Sequence, residues 1–259
     1  MSRPVAVITG ASRGIGKQLC IDLAREGYDI VAIARSTADS PTKLPGTVDE
    51  TVALAKEAGG ATCTAWAIGL DVRDEEGIEA LAGRVKSELG RCDLVVNNAA
   101  IAPPGATLGS PMRRWRLAID INVNGPLYFM NSFVPLMTPG EGRVLNISSS
   151  ASVAPAFGRA SYTTTKRALE ALTECIGWEL REKVAVNCIR LELSVWSEGY
   201  TSTLPDMDFS DFEDPVIMSD ATLWLARQPI AYTGHVLTIA QMRAMGAVRA
   251  VTRIGDRVA

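Results

Sequence analysis

The sequence predicts an α/β fold, a single doubly wound parallel sheet of about seven strands with helices on both faces. Three observations lead there: apolar runs of strand length recur, helical stretches separate them, and no internal repeat or low-complexity segment breaks the alternation. The runs fall at 5–9, 29–34, 62–68, 93–96, 143–147, 184–189 and 235–239. They are mostly continuous rather than alternating in hydrophobicity, the pattern of strands covered on both faces. Helical periodicity fits 15–26, 48–58, 75–89, 160–181 and 220–226. At 259 residues the chain suits one large α/β domain or two small ones, and the single sheet leads us to expect one domain over 1–259.

Two segments depart from the rhythm. Residues 36–46 form a turn-rich loop longer than usual after a second strand. Residues 196–215 are polar, acidic and aromatic without a clear period, and a lid over about 193–215 is expected there rather than a disordered stretch.

Composition removes several function classes. A formal net charge of −3 argues against nucleic-acid binding, which needs a concentrated basic face. No apolar run approaches the roughly 18 to 20 residues of a membrane span. The N-terminal residues enter a strand pattern at once, so no signal peptide is expected, and five cysteines without C-x-x-C spacing read as free thiols. The cytoplasm is the expected location. His235 is the only histidine, so a histidine-based hydrolase would depend on that one residue and a His-rich metal site cannot be built. No metal is expected. Acid–base chemistry near neutral pH must then use another group with a shifted pKa.

Thr9-Gly10-Ala11-Ser12-Arg13-Gly14-Ile15-Gly16 follows the first strand and opens the first helix. Gly10 permits the tight turn, Gly14 lets backbone approach a pyrophosphate, and Gly16 lets the helix pack closely on the sheet. The N–H groups at the helix start, around Ser12 and Ile15, then face the phosphates. This context makes the sheet Rossmann-type and predicts dinucleotide binding. The second strand ends Ala34-Arg35, without the acid that normally binds a ribose 2′-hydroxyl, whereas an arginine accommodates a 2′-phosphate. Arg13 and Lys43 add cations nearby, so NADP(H) is expected in preference to NAD(H). Asp71, followed by Val72 after the third strand, is expected at the adenine, with Asp74 left as a helix N-cap.

Tyr162 and Lys166 stand one helical turn apart on the same face. A tyrosine titrates near 10, too high for neutral acid–base work, and a fixed cation lowers that value. Ser149, ending the fifth strand, offers a hydroxyl to a substrate oxygen, and Asn122 offers an amide that can anchor a water connecting Lys166 to solvent.

These residues, with Asn97-Asn98-Ala99-Ala100, stand in the order and spacing of the short-chain dehydrogenase/reductase family, which the chain resembles over nearly its whole length. The resemblance implies a Ser149–Tyr162–Lys166–Asn122 catalytic set and a homodimer or homotetramer. It also implies that Asn98 shapes the cofactor pocket and that Lys166, beside Tyr162, bonds the nicotinamide ribose. The implied activity is hydride transfer between NADP(H) and a carbonyl or secondary alcohol. An apolar ketone is the expected substrate, reduced rather than formed, with 101–104, 155–157, Leu193, Trp196 and Tyr200 as the expected pocket wall. Imine or quinone reduction, or a non-catalytic NADP(H)-binding role, are the alternatives. In place of the family's Pro-Gly pair after the sixth strand, this sequence has Asn187-Cys188-Ile189-Arg190-Leu191-Glu192-Leu193. Residues 43–47 and 71–75 look like those of the hydroxysteroid dehydrogenase-like subgroup.

Overall fold

The computed structural model describes residues 3–257. In chain order its regular elements begin with β1 (Val5–Thr9), α1 (Gly14–Arg25), β2 (Asp29–Ala34), α2 (Val48–Gly59), β3 (Ala65–Gly69) and α3 (Glu75–Glu88). Next come β4 (Leu94–Asn97), α4 (Met112–Ile119), α5 (Gly125–Phe133), β5 (Gly142–Ser149), α6 (Ala160–Glu179) and β6 (Val184–Leu191). The chain continues through α7 (Glu198–Thr203), α8 (Val216–Ala226), β7 (Val236–Thr238) and α9 (Ile239–Ala244). The strands make a seven-stranded sheet in the order β3-β2-β1-β4-β5-β6-β7. The pairs β1–β2, β2–β3, β4–β5, β5–β6 and β6–β7 are all parallel. The predicted fold class is the observed one.

Contacts divide the chain into two compact units. The first comprises the chain through Asp71, Leu193–Gln228 and the segment from Ile239 on. Its strands β1 and β2 are buried almost end to end, and α1 packs its Leu19 and Leu23 face inward against them. The capping box between Thr47 and Glu50 satisfies two otherwise orphaned N–H groups and starts α2 at once after the long loop. Residues 193–215 are held at several points. The Trp196 N–H donates to the Glu213 carbonyl at 2.9 Å, and the Glu213 N–H to the Ser194 carbonyl at 2.8 Å. Arg243 pairs with the buried Glu213 carboxylate. Residues 202–208 are exposed.

The second unit comprises Val72–Glu192 and Pro229–Thr238. Its interior carries a buried amide chain: Asn97 Nδ2 donates to Asn146 Oδ1 at 2.8 Å, and Asn146 Nδ2 to Thr173 Oγ1 at 2.9 Å. The chain joins β4 and β5 to α6 with directional bonds that a greasy contact would not provide. The lone histidine is structural here. The His235 N–H donates to Asn187 Oδ1 at 3.0 Å, and its ring lies 4.1 Å from that of Tyr232.

Several boundaries differ from the sequence reading for identifiable reasons. β3 begins at Ala65 because residues 60–63 close a turn, with the Cys63 N–H on the Gly60 carbonyl. α8 starts at Val216, since Asp214 Oδ1 accepts from the Val216 N–H and caps the helix earlier. β6 runs two residues past its expected end, so Arg190 and Leu191 pair with Ser148 and Ser149. The helices α4, α5 and α9 are additional to those the sequence periodicity predicts.

Candidate active site

In the first unit the glycine loop turns as expected, with Gly10 at φ 68° and Gly14 at φ 54°. Positive φ and crowding both demand glycine at position 14, where an added Cβ would lie 2.7 Å from Ser197 Cβ. Ser12 and Gly16 are buried and Ile15 is half-buried at the start of α1. Whether these residues fit a phosphate is answered by an anion of the chain itself. Glu198 accepts from the Gly14 N–H at 2.8 Å and from Lys17 Nζ at 3.0 Å. Burial raises the Glu198 pKa, but bonds from its own backbone, Gly14 and Lys17 outweigh it, so the carboxylate titrates below its ordinary value. The helix start therefore accepts an oxyanion.

Arg13 is less free than its position in the loop suggested. Its Nε donates to the Pro45 carbonyl at 2.6 Å, and Nη2 donates to Thr42 Oγ1 and the Leu44 carbonyl, each at 3.1 Å. The guanidinium organises the 42–46 loop, and burial, countered by Glu198 and reinforced by Arg35, lowers its pKa. Arg35 and Lys43 are exposed. Asp71 is half-buried after β3, and Asp74 caps α3 by accepting from the Gly77 N–H at 3.0 Å.

The second unit holds the acid–base candidates. Lys166 is 3% exposed; its Nζ donates to the Ile147 carbonyl at 2.6 Å and lies 5.7 Å from the Tyr162 ring centroid. Burial lowers its pKa to about 8, with Cys188 and Glu170 acting the other way. Asn122 sits in a π-helical turn, Asp120–Asn124, between α4 and α5. The wider turn spaces the ladder where the side chain must reach sideways. Its Oδ1 accepts from the Ile101 N–H at 2.9 Å, while Nδ2 donates to the Ile101 carbonyl at 2.8 Å and to Thr165 Oγ1 at 2.9 Å. Asn122 thus ties the loop after β4 to α6. Ser149 Oγ accepts from the Ala151 N–H at 3.3 Å at the end of β5. The Asn98 N–H donates to the Val96 carbonyl at 3.2 Å, and Val72 lies against Gly125, where an added Cβ would come within 3.1 Å of the Val72 carbonyl.

Of the expected pocket wall, Phe157 is 93% exposed and Ile101 half-buried in the second unit. In the first unit Tyr200 packs edge-on against Phe212 at 5.6 Å, so it serves the segment's own packing. The sequence reading missed two residues with a visible role. Glu198 lies in the aperiodic segment, where nothing in the sequence marks it. Glu170 left a usable trace, since it falls on the Tyr162–Lys166 face of α6 and pairs with Arg190 at 2.8 Å.

The fold and these two clusters define a dinucleotide-binding α/β protein with a tyrosine–lysine pair. The short chain dehydrogenase description matches residues 4–193. The chain belongs to the short chain dehydrogenase family, a family of nicotinamide-dependent oxidoreductases. It is 30% identical over 231 residues to hydroxysteroid dehydrogenase-like protein 2 of Danio rerio, covering 88% of this chain and 55% of that protein. The chain thus spans about half the length of that relative. It is 32% identical over 246 residues to an uncharacterized NAD-dependent oxidoreductase of Mycobacterium tuberculosis, covering 86% and 88%. The crystal structure of a short chain dehydrogenase from Mycobacterium thermoresistibile superposes with a TM-score of 0.84 at 26% identity, covering 95% of this chain and 88% of that one. Among the described residues no helix is long and apolar enough to cross a membrane.

Proposed function

We infer that the chain is an NADP(H)-dependent oxidoreductase acting on a carbonyl or secondary alcohol, with an apolar ketone reduced as the favoured reaction. The observation that carries this reading is the buried Lys166 ammonium one turn from Tyr162, its Nζ 5.7 Å from the Tyr162 ring centroid. When bound, the nicotinamide supplies or accepts the hydride. Gly10, Ser12, Gly14, Ile15 and Gly16 hold the phosphates through backbone N–H groups, with Asp71 and Val72 toward the adenine and Asn98 shaping the pocket. Tyr162 moves the proton at the substrate oxygen through its Oη, and the Lys166 charge stabilises the phenolate left behind. Ser149 Oγ donates to the same oxygen and steadies charge as it develops. Asn122 holds the loop at Ile101 in place and anchors the water that returns protons to Lys166. The 193–215 segment closes as the cover that excludes bulk water.

Screening NADPH oxidation against ketones, aldehydes, imines and quinones tests the reading. Turnover of apolar ketones supports it, while imines or quinones alone would move the substrate class. Tight NADPH binding with an inert panel would leave a non-catalytic binding protein. A homodimer or homotetramer in a reducing cytoplasm completes the proposal, supported by five free cysteines, and sedimentation gives the subunit number.

Cofactor choice yields a sharper expectation. Arg35→Ala is expected to weaken NADPH binding by ~10–100-fold, the value of a lost charge-assisted phosphate bond, with NADH unchanged. Equal use of NAD⁺ and NADP⁺ by the natural protein would contradict the preference. Glu198 should oppose cofactor binding, because its carboxylate holds the Gly14 and Lys17 donors. Glu198→Gln is expected to lower the NADPH Kd by ~3–10-fold in a fluorescence titration. A weaker Kd would show that the glutamate supports the loop rather than competing for it.

A further inference from the structure

α6 brings a third charged group to the face that holds Tyr162 and Lys166. The Glu170 side chain is 3% exposed, one turn beyond Lys166. Burial alone would push its carboxyl toward the neutral form, yet bonds from Arg190, Ser152 and Ser148 outweigh that and hold it below its ordinary range. Ser148 Oγ donates to Glu170 Oε1 at 2.7 Å, and Ser152 Oγ donates to the same oxygen at 2.6 Å. Arg190 Nε donates to Oε1 at 2.9 Å and Nη2 to Oε2 at 2.8 Å.

Ser148 and Ser152 bracket Ser149. One carboxylate therefore grips both sides of the turn that presents the Ser149 hydroxyl, and it does so from the helix that carries Tyr162 and Lys166. Arg190 is available because β6 stays in the sheet, with Ser148 beside Arg190 and Ser149 beside Leu191.

We propose that Glu170, with Arg190 as its counter-ion, is a positioning residue that fixes Ser149 against the Tyr162–Lys166 helix and places a buried carboxylate one helical turn from Lys166. The inference rests on the roles assigned above to Ser149, Tyr162 and Lys166. The charged and titratable groups around Glu170 are Lys166 and Arg167 on its own helix and Arg190 and Cys188 on β6. Glu174, farther along α6, acts on Arg190. Burial pushes the Cys188 thiol up to about 12, so near neutral pH it is uncharged and Glu170 is the anion that acts on Lys166.

The test reads the Lys166 titration and the reaction separately. Carbon-13 NMR of lysine Cε in the cofactor-free protein, assigned through Lys166→Arg, follows the ammonium directly. Glu170→Gln removes the negative charge, so the Lys166 titration should move to lower pH. Arg190→Gln leaves that charge uncompensated, so the titration should move to higher pH. In turnover, Glu170→Gln should lose ~10–100-fold in kcat, with the NADPH Kd changed less than about twofold. Ser152→Ala keeps the ion pair and should lower kcat while leaving the Lys166 titration where it was.

Opposite movements of the two titrations are not what a loosened fold produces. Movements in the same direction, no movement, or a kcat loss matched by a rise in the NADPH Kd would each overturn the proposal. If instead the natural protein turns nothing over, or Tyr162→Phe stays active, the site reading fails, and the NMR titrations still decide the charge role of Glu170.

Discussion

Tyr162→Phe loses turnover by ~10²–10⁴-fold or more while NADPH still binds within about twofold. The substitution keeps the ring, which contacts its surroundings at half-buried depth, and deletes only Oη. Ser149 can still hold a substrate oxygen, but no group remains to give or take its proton. The chain's one histidine, His235, lies in the β6–β7 region with its ring 4.1 Å from that of Tyr232. Stopped-flow NADPH oxidation with the best carbonyl of the panel measures the loss, and fluorescence quenching measures the Kd. Retained turnover would remove Tyr162 from the chemistry.

Lys166→Met is expected to abolish turnover equally and to stabilise the fold. The folded pKa of about 8 lies below the ordinary lysine value of 10.5, so unfolding takes up a proton between those values. The native state therefore bears a burial penalty below about pH 8 that fades as pH rises through that window. A shift of this size corresponds to on the order of 3 kcal/mol near neutral pH. Methionine fills a similar volume without the charge. Denaturant unfolding should show the variant more stable near pH 7 and the advantage shrinking toward pH 10. Destabilisation at neutral pH would mean that the bond to the Ile147 carbonyl outweighs the burial penalty. A site that costs stability is the expected signature of a lysine held for chemistry.

The parts legible in the sequence were those governed by short-range rules. The strand Val5–Thr9, the turn at Gly10 and the opening of α1 follow from a buried apolar run and glycines at positive φ. Tyr162 and Lys166 share a face because α6 is continuous from Ala160 to Glu179. What was not legible depends on segments distant in sequence. The sequence marks Arg13 as a cation near the phosphate, but its bonds to carbonyls more than thirty positions away have no local signal. Glu198 reaches Gly14 across 184 positions, and no local pattern encodes that meeting. Arg190 was noticed only as a departure from a Pro-Gly pair, whereas its partner Glu170 lies twenty residues upstream on another element.

The central claim is hydride transfer between the nicotinamide and the carbon of a carbonyl or carbinol. NADPH carrying deuterium at nicotinamide C4, incubated with the protein and an apolar ketone in ordinary water, tests it most directly. The account predicts one deuterium on the carbinol carbon of the product for labelled cofactor of one face, and none for the other. Product without deuterium from either labelled face, or label lost to solvent, would contradict it.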